Sequence, residues 1–276
     1  MKLVINYTTG GLGNRLRPLA SAYAVSKKTG RSLCQYWDSK TTNGTLASFE
    51  DLFENNIISL SSNDLSNLKT FDIYSDIESI NRLSSKYNCH DLKNLVEKGL
   101  GNLLPLRSYL PGSNEDNIIF YSNNFIPNTE ESLCYEFIRT LKPVHDIQNK
   151  IDRTSAYLGL NRSIVGVHAR GTDFGVDVGY YVSKMHDYPD STKFFLSTDD
   201  LDYEKYICAV FKDRVITRSD RSHLTKEDST KTWDYNFSVS KEKSKDSVVD
   251  MYLLSKTNIQ VYHPSSTFCE IAKMIS

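Results

Sequence analysis

The chain has 276 residues, of which 39% are hydrophobic and 24% charged, enough apolar material for one large or two medium domains. A formal net charge of -1 excludes the broad positive field that nucleic-acid binding needs, so no nucleic-acid partner is expected and any bound anion must be held locally. Five dispersed cysteines, Cys34, Cys89, Cys134, Cys208 and Cys269, form no Cys-x-x-Cys pair, which argues against a zinc site or disulfide framework and for reduced thiols in a cytoplasm.

The opening Met1 to Tyr7 has too short an apolar run for a signal peptide and reads as a first strand, Leu3 to Tyr7. No run reaches the length of a membrane span. Thr8 to Arg15 then gives a glycine turn, Gly10-Gly11-Leu12-Gly13-Asn14, and Leu16, Leu19, Ala20, Tyr23 and Ala24 recur at helical spacing until Gly30 stops the helix. Leu33 to Trp37 completes a βαβ unit. The turn lacks the Gly-Lys-Ser/Thr ending of a P-loop, so its glycines signal close backbone approach, either to a ligand or to the neighbouring strand. Asn14 and Arg15 are expected to face the cleft between domains, and Arg17 the surface.

Phe49 to Phe53 suggests a short helix and Ser59 to Asn67 a loop. Leu92 to Leu104 has helical periodicity, Ile118 to Tyr121 reads as a strand, and Glu131 to Leu141 and Asp146 to Leu158 read as amphipathic helices. The domain boundary is placed near 160, giving domains 1–160 and 161–276. Ile164 to Val167 is a buried strand that ends in His168, Arg170, Gly171 and Asp173. Lys193 to Ser197 is a strand ending in Thr198-Asp199-Asp200, Tyr203 to Phe211 a helix, and Val215-Ile216 a short strand. Thr217 to Lys245 is hydrophilic with Trp233, Tyr235 and Phe237 embedded, long enough to be a functional loop. Ser247 to Ser255 is an apolar helix carrying Asp250. Ile259 to Tyr262 is the next strand, and Ser265-Ser266-Thr267-Phe268 opens a last helix, Cys269 to Ile275.

This α/β grammar, repeated in two halves, predicts two Rossmann-like domains facing a cleft. In open α/β sheets ligands sit outside the carboxyl ends of parallel strands, which is where His168 to Asp173 fall. Arg170 leads the candidates, because a guanidinium is always charged and its fork matches phosphate oxygens; pairing with Asp173 is the structural alternative. Asp200-Leu201-Asp202 has the Asp-x-Asp spacing of metal-using transferases, but Asp199 and Asp200 suit base or ribose recognition better, and no metal is expected. Asp250, on an otherwise buried helix, reads as a solvent-facing position. His168 reads as a satisfied structural histidine or as a base.

Four features in this order resemble the fucosyltransferase superfamily, which includes the α-1,2, α-1,6 and protein O-fucosyltransferases. They are Gly10-Gly11-Leu12-Gly13-Asn14 after the first strand; His168, Arg170 and Asp173; Thr198-Asp199-Asp200; and Asp250 followed by Ser265-Ser266-Thr267-Phe268. Residues 38 to 160 and 217 to 245 have no recognisable counterpart. The resemblance implies a GT-B architecture, with an acceptor-side N-terminal domain and a C-terminal domain that binds a GDP-sugar, and an inverting, metal-independent transfer. It implies catalytic parts for Arg170, Asp173 and Asn14. Donor contacts are implied for Gly11, Gly13, His168, Asp199, Asp200, Asp250, Ser265, Ser266 and Thr267. The donor is a co-substrate and no separate cofactor is implied; the acceptor would be a saccharide or glycolipid, which leaves room for peripheral membrane association. One departure stands out: the α-1,2 and α-1,6 branches often carry a second arginine where this chain has Gly171. A non-catalytic nucleotide-sugar or glycan binder and a UDP-sugar, metal-dependent transferase are the competing readings.

Overall fold

The structure is a computed structural model that describes residues 2–37, 44–68, 71–76, 90–110, 117–171, 176–220 and 238–276. Asp173, Cys89, Trp233, Tyr235 and Phe237 lie outside the described residues. The chain divides into two compact units, Met1–Lys142 and Pro143–Ser276.

The first unit is built on a six-stranded sheet of β1 (Leu3–Thr8), β2 (Ser32–Trp37), β3 (Ile58–Ser59), β4 (Phe71–Ser75), β5 (Gly101–Pro105) and β6 (Asn117–Tyr121). Their order is β3-β2-β1-β6-β4-β5, and every pairing is parallel. Parallel strands must be covered on both faces, and the period-two alternation of side chains divides the core accordingly. Leu3, Ile5 and Tyr7 pack with Tyr36, Ile73 and Tyr121 beneath Leu65 of α2 (Ser62–Ser66) and Leu92 and Leu95 of α3 (His90–Glu97). On the other face Val4, Ile118 and Phe120 meet Ala22 and Val25 of α1 (Leu12–Thr29). Gly30 ends α1 at φ 67, the left-handed conformation that glycine adopts without strain. Helix α4 (Glu131–Thr140) packs along α1.

The second unit contains α5 (His145–Leu158), β7 (Val165–Ala169), α6 (Val178–His186), β8 (Phe194–Thr198), α7 (Leu201–Phe211), β9 (Val215–Ile216), α8 (Lys241–Ser255), β10 (Asn258–Tyr262) and α9 (Thr267–Ile275). Its four parallel strands run in the order β9-β8-β7-β10. Val165, Val167, Phe194, Leu196 and Val261 form a core with Tyr181 and Met185 of α6 and Ile207 and Phe211 of α7. Helix α8 contacts β7, β8 and β10, and α5 and α9 pack on it. Gly166 of β7 lets this layer close, since a Cβ there would run into the Thr257 hydroxyl and lie 3.3 Å from the Ile259 Cα.

Several expectations need correction. The division falls at 142/143 and not near 160, because α5 is a packing partner of α8 and its Lys150 pairs with Asp246 at 2.8 Å. Phe49 to Phe53 is a single hydrogen-bonded turn. Within Ser59 to Asn67 a helix forms, because Ser61 and Asp64 make a reciprocal capping box. The helical periodicity of Leu92 to Leu104 holds only to Glu97; from Gly101 the chain is strand β5, an edge position where Pro105 is tolerated. Helix α8 begins at Lys241, earlier than the apolar run, because Ser240 caps it through the Lys243 N–H. No helix of the described residues is long and apolar enough to cross a membrane.

Candidate functional site

In each sheet the chain builds outward on one side of its first strand and then returns to the other side. That reversal creates a switch point, where loops diverge and leave a crevice at the strands' carboxyl ends. In the second unit it lies between β7 and β10. His168 is the fourth residue of β7 and sits opposite Tyr262 of β10. Its imidazole is buried, with Nδ1 3.3 Å from the Ser266 hydroxyl oxygen, and it stacks on Phe268 at 4.8 Å and 18°. This engagement ties the end of β7 to the first turn of α9 and fits the structural reading of the histidine.

Arg170 follows one residue after β7, with 28% of its side chain exposed. Its backbone N–H donates to the Tyr181 hydroxyl at 3.1 Å, and that hydroxyl donates to the Arg170 carbonyl at 3.3 Å. Burial pushes the Tyr181 phenol up to about 12, so it keeps its proton. Among the described residues, Asp199 lies beside Arg170, its Oδ2 3.9 Å from Nε while Oδ1 accepts the Gly171 N–H at 3.0 Å. Asp200 caps α7, accepting from the Asp202 and Tyr203 N–H groups at 2.8 and 3.1 Å. The Asp-x-Asp spacing of Asp200 and Asp202 is thus the start of a helix, in which Asp202 supplies a backbone donor.

Ser266 caps α9, accepting from the Cys269 N–H at 3.3 Å; Ser265 is exposed and Thr267 half-buried. A helix N-terminus collects backbone N–H groups and the positive end of the dipole, which suits an anion. The Cys269 thiol is pushed up to about 12 by burial, an effect opposed by the Ser266 hydrogen bond and by the positive charges of Lys273 and Arg170.

Asp250 is buried, so it is not the solvent-facing residue one reading expected. It accepts from the Ser197 hydroxyl at 3.2 Å and lies 3.2 Å from Nε of Arg218, whose side chain is 1% exposed. Arg218 also reaches Asp246 at 3.0 Å and Asp220 at 3.4 Å, and Lys150 reaches the same two acids at 2.8 and 3.3 Å. A cavity of about 200 Å³ lined by Arg153, Thr154, Tyr157, Leu158 and Thr217 to Asp220 adjoins this network and shares no residue with the crevice at Arg170.

In the first unit the switch point lies between β1 and β6 and holds Gly10 to Asn14 and Ser122 to Asn124. Gly10 has φ +89, and a Cβ there would lie 3.5 Å from Asn14 Nδ2 and 3.9 Å from Asn123 Oδ1. Gly11 is exposed at the N-cap of α1, Gly13 is buried, and Asn14 is half-buried. Arg15 is fully buried: its Nε donates to the Gly10 carbonyl at 2.8 Å and its guanidinium lies 5.1 Å from the Trp37 ring, so it braces the turn from within the core. Arg17 donates to the Asn123 carbonyl at 2.6 Å and to Asn124 Oδ1 at 3.0 Å, linking the first turns of α1 to the segment after β6.

The structure thus gathers His168, Arg170, Asp199, Ser265, Ser266 and Thr267 at one switch point, and Gly11, Gly13 and Asn14 at the other. Tyr181 and Arg218 were missed from sequence. Tyr181 had a usable signal, since Val178, Tyr181, Val182 and Met185 follow Asp177 at helical spacing; Arg218, one of three arginines around a short strand, had none that set it apart.

Two parallel α/β units with polar groups at their switch points define an α/β protein of the GT-B fold class. No protein-family model matches the chain, and no curated protein does. The fold is that of fucosyltransferase structures. Fucosyltransferase NodZ from Bradyrhizobium is similar with a TM-score of 0.63 at 21% identity, over 99% of this chain and 92% of that one. NodZ, an alpha-1,6-fucosyltransferase, soaked with GDP-fucose gives the same figures. POFUT1 in complex with GDP is similar at 0.57 and 11% identity, over 99% and 94% of the two chains. A variant of Arabidopsis thaliana FUT1 in complex with GDP is similar at 0.55 and 14% identity, over 99% and 68%.

Proposed function

We propose that the chain is an inverting glycosyltransferase that moves L-fucose, or a related 6-deoxy or heptose sugar, from a GDP donor to a saccharide or glycolipid hydroxyl in the cytoplasm. The observation that carries this reading is the part-exposed Arg170 guanidinium just past the end of β7, at the switch point that β7 and β10 form, in a fold shared with structures in complex with GDP or soaked with GDP-fucose. In the proposed reaction the acceptor oxygen attacks the anomeric carbon, the bond from that carbon to the diphosphate breaks, and the hydroxyl proton passes to a base. Asp173 is the base the sequence suggests. Negative charge grows on the departing phosphate oxygens, and a preorganised cation lowers that barrier. At about 4 Å and an effective dielectric near 20, one such contact is worth about 4 kcal/mol, or about a thousandfold in rate if confined to the transition state.

Ser265, Ser266 and Thr267 are assigned the diphosphate through hydroxyls and backbone N–H groups. Asp250, braced by Arg218, is assigned a nucleoside contact, and Asp200 a place beside it. Gly11 and Gly13 are assigned donor contacts and Asn14 a part in catalysis. Charge stabilisation rests on Arg170 and α9 in this reading, with no divalent ion. Arg170→Ala should lower release of GDP from GDP-fucose by about a thousandfold, with the thermal transition unchanged. Wild-type turnover in that variant would remove the proposal. A scan of GDP, UDP and ADP binding should show a preference for GDP.

A further inference from the structure

We propose that Tyr181 and Asp199 are positioning residues for Arg170, fixing the direction of its guanidinium from opposite elements. This rests on the role given to Arg170 above and extends it to two residues, one of which sequence reasoning missed. Residue 170 lies just past the last residue of β7, where a strand's ladder ceases to set the backbone. Tyr181 takes over there. Its hydroxyl both accepts from the Arg170 N–H and donates to the Arg170 carbonyl, at 3.1 and 3.3 Å. The ring below is fully buried among Met185, Phe194 and Ile207, so the hydroxyl is mounted on packed core. From β8's end, Asp199 holds the next peptide through the Gly171 N–H at 3.0 Å and faces Arg170 Nε at 3.9 Å. One backbone position and one side-chain nitrogen are thereby set by α6 and by the β8–α7 junction. A phenol that keeps its proton to about 12 can act as donor and acceptor together at any working pH. Asp199, expected from sequence to meet the nucleoside, also touches the residue that would meet the diphosphate.

The test is a double-mutant cycle read by GDP release from GDP-fucose, with and without a panel of oligosaccharide acceptors, so that slow hydrolysis reports leaving-group departure where no acceptor is taken. Tyr181→Phe keeps the ring and removes only the hydroxyl. It should lower kcat on the order of tenfold to a hundredfold, the scale of a sub-ångström to 1 Å misplacement, while KM for GDP-fucose moves by less than about threefold. In an Arg170→Ala background the same substitution should change kcat by no more than about twofold, since nothing is left to position. Equal losses in both backgrounds would show a merely structural role and overturn the proposal, as would full kcat in Tyr181→Phe. Asp199→Asn, which keeps an acceptor for Gly171 but removes the charge beside Nε, should show the same coupling, and it decides the matter if Tyr181→Phe does not fold. Should Arg170→Ala itself retain turnover, the functional reading fails and the positioning proposal with it; loss in Arg170→Ala with additive effects elsewhere sinks only the positioning proposal.

Discussion

Replacing Gly171 with alanine puts one methyl group into the crevice at the end of β7. Its Cβ would lie 2.7 Å from both Cβ and Oδ2 of Asp200 and 3.0 Å from Cγ. That is about 0.8 Å inside ordinary carbon contact. Asp200 has little room to yield, because Oδ1 is fixed by the Asp202 and Tyr203 N–H groups at 2.8 and 3.1 Å. Either the cap of α7 is lost, at about 1 kcal/mol, or the backbone at 171 moves and the Asp199 hydrogen bond and Arg170 move with it. Overpacking of this kind costs about 1–3 kcal/mol. A destabilisation of about 2 kcal/mol should lower the thermal midpoint by roughly 6 °C in a unit of this size, and GDP release from GDP-fucose should fall in parallel. Differential scanning calorimetry together with a coupled GDP assay would measure both. An unchanged midpoint with unchanged turnover would refute the steric reasoning.

Arg218→Met removes a cation that is 1% exposed and leaves the buried carboxylate of Asp250 beside it. Breaking such a pair costs about 3–5 kcal/mol, and Asp250→Asn in the same chain should recover part of the loss in urea unfolding; simple additivity would show that the two side chains are not coupled. A second expectation concerns alkaline pH. Burial raises the thiols of Cys34 to about 11 and Cys269 to about 12. The folded state therefore stays protonated where the unfolded chain ionises, so the stabilisation is fully present below about pH 8.5 and is lost as pH rises through the folded values. Each group should contribute a slope of about 1.4 kcal/mol per pH unit above pH 9, and chemical denaturation under reducing conditions across pH 8 to 11 should show stability falling; a flat profile would contradict it.

What could be read from the chain followed local chemistry. Strands β1, β2, β6, β7 and β8 were legible because buried parallel strands are near-continuous apolar runs, and α1 because Gly30 marks its end. The switch-point residues were legible for the same reason, as polar groups placed abruptly after those runs. Strand β4 was not, since Asp72 interrupts a short segment and finds its partner in Asn102 at 3.2 Å, thirty residues away. Strand β5 was hidden behind Leu92, Leu95, Val96, Leu100 and Leu103, whose spacing mimics a helix that stops at Glu97. Asp250 was ambiguous because its partners Ser197 and Arg218 are remote in sequence. The Asp199 and Tyr181 contacts with residue 170 likewise depend on long-range placement that no local pattern encodes.

The membership of α5 in the second unit has a practical corollary for anyone dividing the chain. A fragment beginning at residue 161 would strip Ile147 and Ile151 from the surface of α8 and part Lys150 from Asp246 and Lys245 from Asp146. A piece beginning at Pro143 carries its own lining, so the seam for expression runs eighteen residues earlier than the sequence invites.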